Sequence, residues 1–498
     1  MAYSERVCVI GAGSSGIASC QVLHARGIPF DCFEQGSAVG GNWRYRNDNG
    51  MSSAYRSLHI NTSRRTMAYA TFPMPEDYPD YPDHFQIAEY FDSYVDHFGF
   101  RDRIRFRTEV TRVEPAGEGE GRWRVSWRER DSGAEGSGVY RAVFVANGHH
   151  WDARWPEPPY PGQEEFEGEQ LHVHDYKTPD VLAGKRVLVL GIGNSATDIA
   201  VEASRNAALT LLAMRRSAWI IPKYLKGRPT DELASPIVTR LPLGMFRALY
   251  KRTLRLASGH PTDFGMPEPD HKLGEAHPTI SSDLLPRIGH GDIAVKPNID
   301  SFPGGRTVRF VDGSEEEIDL VIWCTGYKIT FPFFDPALIA APDNEIPLYL
   351  RVVSPEHPGL YFIGLLQPLG AIMPLAEAQS EWIADVLTGR VALPRPERMR
   401  RAIERDREKM RKRYVASKRH TIQVDFFPYL RGLGRERARG RRRMLMGRGR
   451  GADSRGDERA RVTQPPPAAA SGPDRAGDDR RDGRPAREPA GRAGERGG

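Results

Sequence analysis

Cysteine is scarce in this chain. Its 498 residues include only Cys8, Cys20, Cys32 and Cys324, no two of which have the Cys-x-x-Cys spacing. Each lies in a segment that reads as a core strand or helix, where a cysteine packs as a small buried apolar residue. The spacing therefore argues against a disulfide framework, a zinc site and a redox-active disulfide.

Long apolar runs are also missing. The most apolar stretch, residues 360–375, is interrupted by Gln367, Pro368 and Pro374, whereas a membrane span needs about 20 consecutive apolar residues. The first residues lead directly into a predicted strand, without the features of a signal peptide. We therefore expect no membrane span and a cytoplasmic location.

The C-terminal tail lacks lysine and aromatic residues. Residues 433–498 contain 18 arginines and 10 acidic residues, whereas the whole chain has a formal net charge of +6, so the basic excess belongs to the tail. A segment so poor in apolar residues cannot form a core, and we predict that it is disordered. Its composition is also typical of GC-rich DNA translated outside its native frame.

The arginines raise a remote alternative function, nucleic-acid binding. The tail has no aromatic side chains on which bases could stack, and about a third of its charged residues are acidic. We therefore do not expect a nucleic-acid partner.

A glycine-rich turn follows the first predicted strand. The apolar run Val7–Ile10 is typical of a parallel strand buried on both faces, and Gly11-Ala-Gly13-Ser-Ser-Gly16 comes next. Such glycines allow a tight turn, close approach to a pyrophosphate and packing of the next helix. Glu34, 23 residues beyond Gly11, suits a ribose 2′-hydroxyl, which predicts FAD bound by Gly11, Gly13, Ser14, Ser15, Gly16, Glu34 and Gln35.

A second turn of this kind follows the apolar run Val187–Leu190. The next predicted strand, Thr210–Met214, ends at two arginines, 24 residues past the first glycine of the turn. Two cations at the place of the ribose-binding carboxylate accommodate a 2′-phosphate and therefore favour NADPH over NADH. The predicted residues are Gly191, Gly193, Asn194, Ser195, Ala196, Asp198, Arg215 and Arg216.

The stretch before the second turn, Phe166-x-Gly168-x-x-x-His172-x-x-x-Tyr176, resembles the fingerprint of flavin-containing monooxygenases, a group of class B flavoprotein monooxygenases. Two further segments are similar to elements that lie close to the flavin in that family, and the resemblance runs to about Leu430. It implies that Asn61 is catalytic and that further cofactor-binding residues are Gly41, Asn42, Trp43, Asn61 and Thr62.

The resemblance and the two turns predict an α/β fold with two Rossmann-like dinucleotide-binding domains. Strands that end in a small-x-Gly turn near residues 148 and 326 are the expected crossing points between them. The FAD domain is expected at 1–165 and 330–432, with the NADP-binding domain inserted at 166–329 and a disordered tail at 433–498.

The resemblance implies that NADPH reduces FAD and that the reduced flavin takes up O2 as a C4a-hydroperoxyflavin. One oxygen atom then passes to a soft nitrogen or sulfur atom of a small-molecule substrate, as in N,N-dimethylaniline monooxygenase activity. The alternative is a Baeyer–Villiger monooxygenase acting on ketones. Tyr176 followed by Lys177 favours the heteroatom oxygenases, because Baeyer–Villiger fingerprints usually end in tryptophan.

The sequence says less about a metal, a second copy of the chain or the substrate. Four histidines, His149, His150, His172 and His174, lack the spacing of metal ligands, so we predict no metal. A homodimer is compatible with the sequence. The loops that would form the substrate pocket follow no pattern that identifies a substrate.

Overall fold

The structure, a computed structural model, describes residues 5–117, 121–233, 243–414 and 421–458. The helices are α1 (Ser14–Ala25), α2 (Arg64–Met67), α3 (His84–Phe98), α4 (Asn194–Asn206), α5 (Leu243–Ser258), α6 (Leu284–Gly289), α7 (Met373–Leu387), α8 (Pro396–Arg413) and α9 (Phe426–Glu458). The strands are β1 (Val7–Ile10), β2 (Phe30–Phe33), β3 (Ile104–Arg105), β4 (Thr108–Pro115), β5 (Trp123–Glu129), β6 (Glu135–Tyr140), β7 (Ala142–Val145), β8 (Asp152–Ala153), β9 (Glu169–His172), β10 (Arg186–Leu190), β11 (Leu209–Ala213), β12 (Ile220–Ile221), β13 (Tyr224–Leu225), β14 (Arg228–Pro229), β15 (Thr279–Ile280), β16 (Ala294–Lys296), β17 (Ile299–Gly304), β18 (Thr307–Phe310), β19 (Glu315–Glu317), β20 (Leu320–Trp323), β21 (Tyr327–Lys328), β22 (Leu360–Phe362), β23 (Gln367–Leu369) and β24 (Gln423–Asp425).

The first parallel sheet has the strand order β22-β7-β1-β2-β3. Alternate residues of β1 enter two different cores, because successive side chains of a strand point to opposite faces. Val7 and Val9 pack with residues of α1, α3 and α7, whereas Cys8 and Ile10 pack with residues of the antiparallel sheet β4-β5-β6. Burial on both faces explains why this strand is a continuous apolar run.

The second parallel sheet repeats this plan with the order β16-β11-β10-β20-β9. Val187 and Val189 of β10 pack with α4, whereas Leu188 and Leu190 pack with residues of the antiparallel sheet β17-β18-β19. The predicted α/β architecture with two Rossmann-like sheets is therefore confirmed. Each glycine turn lies at the carboxyl end of the central strand of its sheet.

The prediction that disorder begins at 433 is wrong. Residues 433–446 continue α9, in which Leu433 is buried in the first core. Arg437 donates to Asp385 of α7 from Nη2 at 2.7 Å, and Arg26 donates to the other oxygen of Asp385 at 2.9 Å. Although burial acts to raise the pKa of Asp385, the two guanidinium groups hold it below its ordinary value. Composition failed here because ion pairs, together with a few apolar contacts, attach the helix.

The rest of the predicted tail, residues 459–498, lies outside the described residues. Among the described residues, no helix combines the length and the apolar character needed to cross a bilayer.

We predict that a chain ending at Met446 unfolds at the same temperature as the full chain, whereas a chain ending at Gly432 unfolds at a lower one. The shorter chain loses Leu433 from the core and Arg437 from the buried carboxylate of Asp385. Thermal unfolding of the purified chains tests this, and equal stability of both truncations would contradict the docked helix.

The contribution of the ion pair can be measured alone. Arg437→Ala should lower the free energy of unfolding by about 1.5–3 kcal/mol, the cost of a charge-assisted hydrogen bond. Arg435→Ala is the matched control, because Arg435 is exposed on the same helix. Denaturant unfolding of the two variants should separate them; an equal effect would refute the role of Arg437.

Candidate functional site

The first glycine turn is shaped by the space around its backbone. Gly11 has φ +95°, and a Cβ there would lie 2.8 Å from the carbonyl oxygen of Ala146. A Cβ on Gly16 would lie 1.8 Å from the carbonyl oxygen of Gly11, so only glycine fits at both positions. Gly13 differs, because the nearest atom to its Cβ would be Cα of Gly41, at 3.7 Å. The protein itself therefore leaves room at the middle glycine.

The start of α1 lies beside that room. Its N-cap, Gly13, provides no side-chain hydrogen bond to the first turn. A second glycine-rich segment approaches from the other side, where Gly40 N donates to Ala12 O at 3.0 Å. A helix N-terminus without a side-chain cap, bordered by glycine backbone, is the arrangement that binds a pyrophosphate.

Glu34 lies at the end of β2 and is only 4% exposed. Its two carboxylate oxygens accept from the backbone N–H groups of Ala12 and Gly36, both at 2.7 Å. Burial raises the pKa of Glu34, and these two hydrogen bonds oppose the rise. The carboxylate is therefore fixed in place, and its oxygens keep lone pairs for a ribose hydroxyl. The neighbouring Gln35 accepts from Arg130 through its backbone oxygen, at 3.1 Å.

Other predicted residues of this region hold the loops together. Asn42 Oδ1 accepts from both the N–H and the hydroxyl of Ser53, each at 2.8 Å. The carbonyl oxygen of Ser14 accepts from the hydroxyl of Tyr69 at 2.6 Å. Trp43 packs against the first core. The Ser15 side chain lies beside Gly364, where an added Cβ would be 1.9 Å from Ser15 Oγ. Asn42 and Trp43 thus shape the loop that follows Gly41.

Asn61 carries a buried amide oxygen that has no hydrogen-bond partner within the described parts of the chain. The next residue, Thr62, is also buried. On the other side of Asn61, the carbonyl oxygen of Ile60 accepts from Lys223 Nζ at 3.2 Å, and burial lowers the pKa of this lysine. A buried acceptor without a donor is costly unless a ligand supplies one. The position therefore fits a residue that contacts a bound cofactor.

The second glycine turn has the same design. Gly191 has φ +137°, and a Cβ there would lie 2.9 Å from the carbonyl oxygen of Cys324. α4 begins at Asn194 after the N-cap Gly193, which provides no side-chain hydrogen bond. Ala196 is fully buried where the helix crosses the strand, so the small third residue is required for packing. Ser195, in the first turn of α4, is partly exposed.

The side chain of Asn194 is already engaged within the protein. Its Oδ1 accepts from the backbone N–H of Ile280 in β15 at 2.8 Å, and Thr279 donates to the carbonyl oxygen of Ile192 at 2.6 Å. These bonds attach the glycine turn to the short sheet β12-β15. The Asn194 side chain therefore positions the turn.

The two arginines after β11 differ in their surroundings. Arg216 pairs with Asp270, with 3.1 Å between Nε and Oδ2. Arg215 is exposed, and within the described parts of the chain it forms no ion pair. Arg215 is therefore the better candidate for a phosphate ligand.

α4 also carries two carboxylates one turn apart. Asp198 Oδ2 accepts from the hydroxyl of Tyr55 at 2.6 Å, and Glu202 Oε2 accepts from Ser57 at 3.1 Å and from Tyr176 at 2.7 Å. Burial raises the pKa of Asp198 to about 6. These contacts join the second sheet to residues 55–57, close in sequence to Asn61.

Lys177 also contacts this segment. We call the region where residues 52–57 meet α4 and Lys177 the junction. The half-buried ammonium group of Lys177 donates to the carbonyl oxygens of Ser52 and His174, both at 2.7 Å. The carbonyl oxygen of Lys177 accepts from Arg56 N at 2.9 Å. His172 of the fingerprint is fully buried, which lowers the pKa of its imidazole to about 4. The fingerprint thus lies at the junction of the two sheets.

Sequence reasoning missed the junction partners Tyr55, Glu202 and Lys223. Tyr55 and Asp198 are 143 residues apart, and no local pattern relates them. Of the residues that form the junction, the sequence analysis had singled out Lys177, which follows Tyr176 in the fingerprint. Among the described residues, no group of three or more His, Cys, Asp or Glu side chains could hold a metal ion.

The family model described as "FMO-like: Flavin-binding monooxygenase-like" matches residues 4–438. Flavin-containing monooxygenase 5 of Oryctolagus cuniculus is 39% identical over 435 residues, which cover 85% of this chain and 80% of that protein. Flavin-containing monooxygenase 2 of Homo sapiens is 34% identical over 447 residues, which cover 87% of this chain and 82% of that protein.

Solved structures show the same architecture. S-allyl-L-cysteine S-oxygenase from Allium sativum superposes with a TM-score of 0.65 at 25% identity, over 93% of this chain and 96% of that chain. An open crystal structure of cyclohexanone monooxygenase superposes with a TM-score of 0.64 at 17% identity, over 88% of this chain and 99% of that chain. At this identity the similarity shows the fold alone. The chain belongs to the flavin-binding monooxygenase-like family and is an FAD- and NADPH-dependent monooxygenase.

Proposed function

We propose that this monooxygenase transfers one oxygen atom from O2 to a soft nitrogen or sulfur atom of a small molecule. The observation that carries the proposal is the buried amide oxygen of Asn61, for which the described residues provide no hydrogen-bond donor. The names of similar proteins support the substrate class: dimethylaniline monooxygenase [N-oxide-forming] 2 of Pan troglodytes is 34% identical, and the Allium sativum structure is an S-oxygenase.

The glycine turn of β1 and α1 is our proposed FAD site. The N–H groups at the start of α1 would bind the pyrophosphate beside Gly13, and the fixed carboxylate of Glu34 would accept from the ribose. FAD supplies the redox chemistry that activates oxygen, and the protein positions it and excludes water. Asn61 would meet the cofactor with its free amide oxygen.

The turn of β10 and α4 is our proposed NADPH site. Gly193 and the start of α4 would bind the pyrophosphate, and Arg215 would bind the 2′-phosphate. The contacts of Asp198, Glu202 and Lys177 hold this turn against the part of the chain that carries Asn61. We therefore propose that the second sheet belongs to an inserted NADP-binding domain.

Gly13→Ala should weaken FAD binding without destabilising the cofactor-free protein. The added methyl group has 3.7 Å to its nearest protein atom but occupies the space that the pyrophosphate needs. Flavin absorbance after gel filtration, with unfolding of the stripped protein, checks this. Gly16→Ala is the contrasting variant, because its Cβ collides with the backbone and should disturb the fold itself. Full FAD retention by Gly13→Ala would contradict the proposed site.

Arg215→Ala should reduce the preference for NADPH over NADH by about 10- to 100-fold, because one charge-assisted contact contributes about 1.5–3 kcal/mol. Arg216→Ala removes the same charge but should change the preference less, since Arg216 already pairs with Asp270. Steady-state kcat/KM for both nucleotides measures the ratio. An unchanged ratio in Arg215→Ala would rule out its assignment.

Asn61→Ala should still oxidise NADPH but should release hydrogen peroxide in place of oxygenated product. We expect product formed per NADPH to fall at least about tenfold, the effect of removing one positioned hydrogen-bonding group. Asn206→Ala, at the far end of α4, is the control. If Asn61→Ala keeps the wild-type ratio of product to NADPH, Asn61 is only structural.

A competition between a simple thioether and a cyclic ketone of similar size tests the substrate class. We expect sulfoxide to be the main product, with NADPH consumed in proportion. Predominant lactone would instead establish the Baeyer–Villiger alternative. Product analysis by mass spectrometry distinguishes the two outcomes.

The cytoplasmic location, the homodimer and the absence of a nucleic-acid partner stay predictions from the sequence. Size-exclusion chromatography with light scattering tests the dimer. Retention on immobilised DNA at low salt tests the tail, because phosphate contacts weaken steeply as salt is raised.

A further inference from the structure

Two charged side chains hold the backbone on either side of Asn61, and both come from the segment around the hairpin β13-β14. Before Asn61, the carbonyl oxygen of Ile60 accepts from Lys223 Nζ at 3.2 Å. After it, Ser63 donates to Asp231 Oδ2 from its hydroxyl at 2.7 Å and from its backbone N–H at 3.1 Å. We call Lys223 and Asp231 the clamp.

The contacts of the clamp are shielded from water. Ile60 and Ser63 are both 0% exposed. The hydroxyl of Tyr81 donates to the carbonyl oxygen of Lys223 at 2.5 Å, and the Lys223 ammonium group lies 4.9 Å from the centroid of the Tyr81 ring. Hydrogen bonds to charged groups are stronger than neutral ones, and more so away from water. The clamp therefore restricts the backbone that carries Asn61.

The clamp is also attached to the second glycine turn. The backbone N–H of Lys223 donates to Ser282 Oγ at 3.0 Å, and β12, just before Lys223, pairs with β15, just before Ser282. β15 holds the turn in its place, because the N–H of Ile280 donates to Asn194 Oδ1 at 2.8 Å. Hydrogen bonds and short chain segments thus connect the proposed NADPH site to both neighbours of Asn61.

We propose that Asp231 is a positioning residue for oxygen transfer: by fixing Ser63 it sets the place of the Asn61 amide relative to the cofactors, and Lys223 does the same through Ile60. The inference rests on the proposed role of Asn61 and extends it. A displacement of about 1 Å at a reacting group can lower a rate by up to about 100-fold. Oxygen transfer therefore depends on the clamp, whereas reduction of the flavin by NADPH does not.

The test begins with Asp231→Ala, which removes both bonds to Ser63. With a simple thioether, product formed per NADPH should fall at least about fivefold, and hydrogen peroxide should be released in its place. The rate at which NADPH reduces the flavin without oxygen should stay within about twofold of wild type. A residue that only stabilises the fold would not separate these two readouts, and thermal unfolding of the variant measures that effect directly.

Two variants at neighbouring chemistry control for the change at Asp231. Asp231→Asn keeps a side-chain oxygen that can accept from Ser63, so it should restore most of the product ratio. Glu232→Ala removes the next carboxylate along the chain, which lies 3.9 Å from Arg65, and should behave as wild type.

The other half of the clamp has its own matched pair. Lys223→Met should lower product per NADPH, because the buried carbonyl oxygen of Ile60 loses its donor. Lys226→Met, an exposed lysine between β13 and β14, should not. If Asp231→Ala does not fold, Lys223→Met and Ser63→Ala, which removes the 2.7 Å bond and leaves the backbone one, carry the test.

A double variant shows whether the clamp acts through Asn61. Asn61→Ala, Asp231→Ala should form product per NADPH within about twofold of Asn61→Ala alone, because residues that act as a unit have non-additive effects. A further loss in the double variant would mean that Asp231 acts independently of Asn61, and would overturn the inference.

The remaining outcomes separate this inference from the proposed function. A wild-type product ratio in Asp231→Ala, while Asn61→Ala loses product, would overturn the clamp and leave the proposed function intact. An equal loss in Glu232→Ala would also overturn the clamp. A wild-type ratio in Asn61→Ala would refute the proposed role of Asn61, and this inference with it.

Discussion

Two carboxylates on α4, together with the ammonium group of Lys177, attach the second parallel sheet to residues 52–57. Asp198 and Glu202 are one helical turn apart, so one helix face can accept hydroxyl groups from Tyr55, Ser57 and Tyr176. A partly buried carboxylate that loses its donors destabilises the protein, and so do backbone carbonyls that lose a lysine donor. The second glycine turn is therefore fixed relative to the segment that carries Asn61, and the proposed function depends on that placement.

The parts of the fold that could be predicted are those with local causes. A parallel strand buried on both faces must be apolar throughout, and the turn after it needs glycine where a Cβ would meet backbone, as at Gly11 and Gly16. These features appear within a dozen residues of sequence. The contrast between a carboxylate at Glu34 and arginines at 215–216 is equally local.

The parts that could not be predicted depend on contacts between distant residues. No periodicity relates Tyr55 to Asp198 or Lys177 to the carbonyl oxygen of Ser52. Asn42 and Asn194 stay predicted cofactor-binding residues, and the sequence could not show that their amide oxygens also accept from Ser53 and Ile280. The start of the tail was misplaced because composition takes no account of acidic residues elsewhere, such as Asp385, that pair with its arginines.

The measurement that tests the junction most directly is the rate at which NADPH reduces the bound flavin, followed without oxygen by stopped-flow absorbance. Lys177→Met should keep its FAD and its affinity for NADP⁺ but be reduced at least about tenfold more slowly, because a shift of about 1 Å between reacting groups is costly. Lys185→Met is the matched control, since Lys185 pairs with Glu169 outside the junction. A wild-type rate in Lys177→Met would contradict the claim that the junction aligns the two sites.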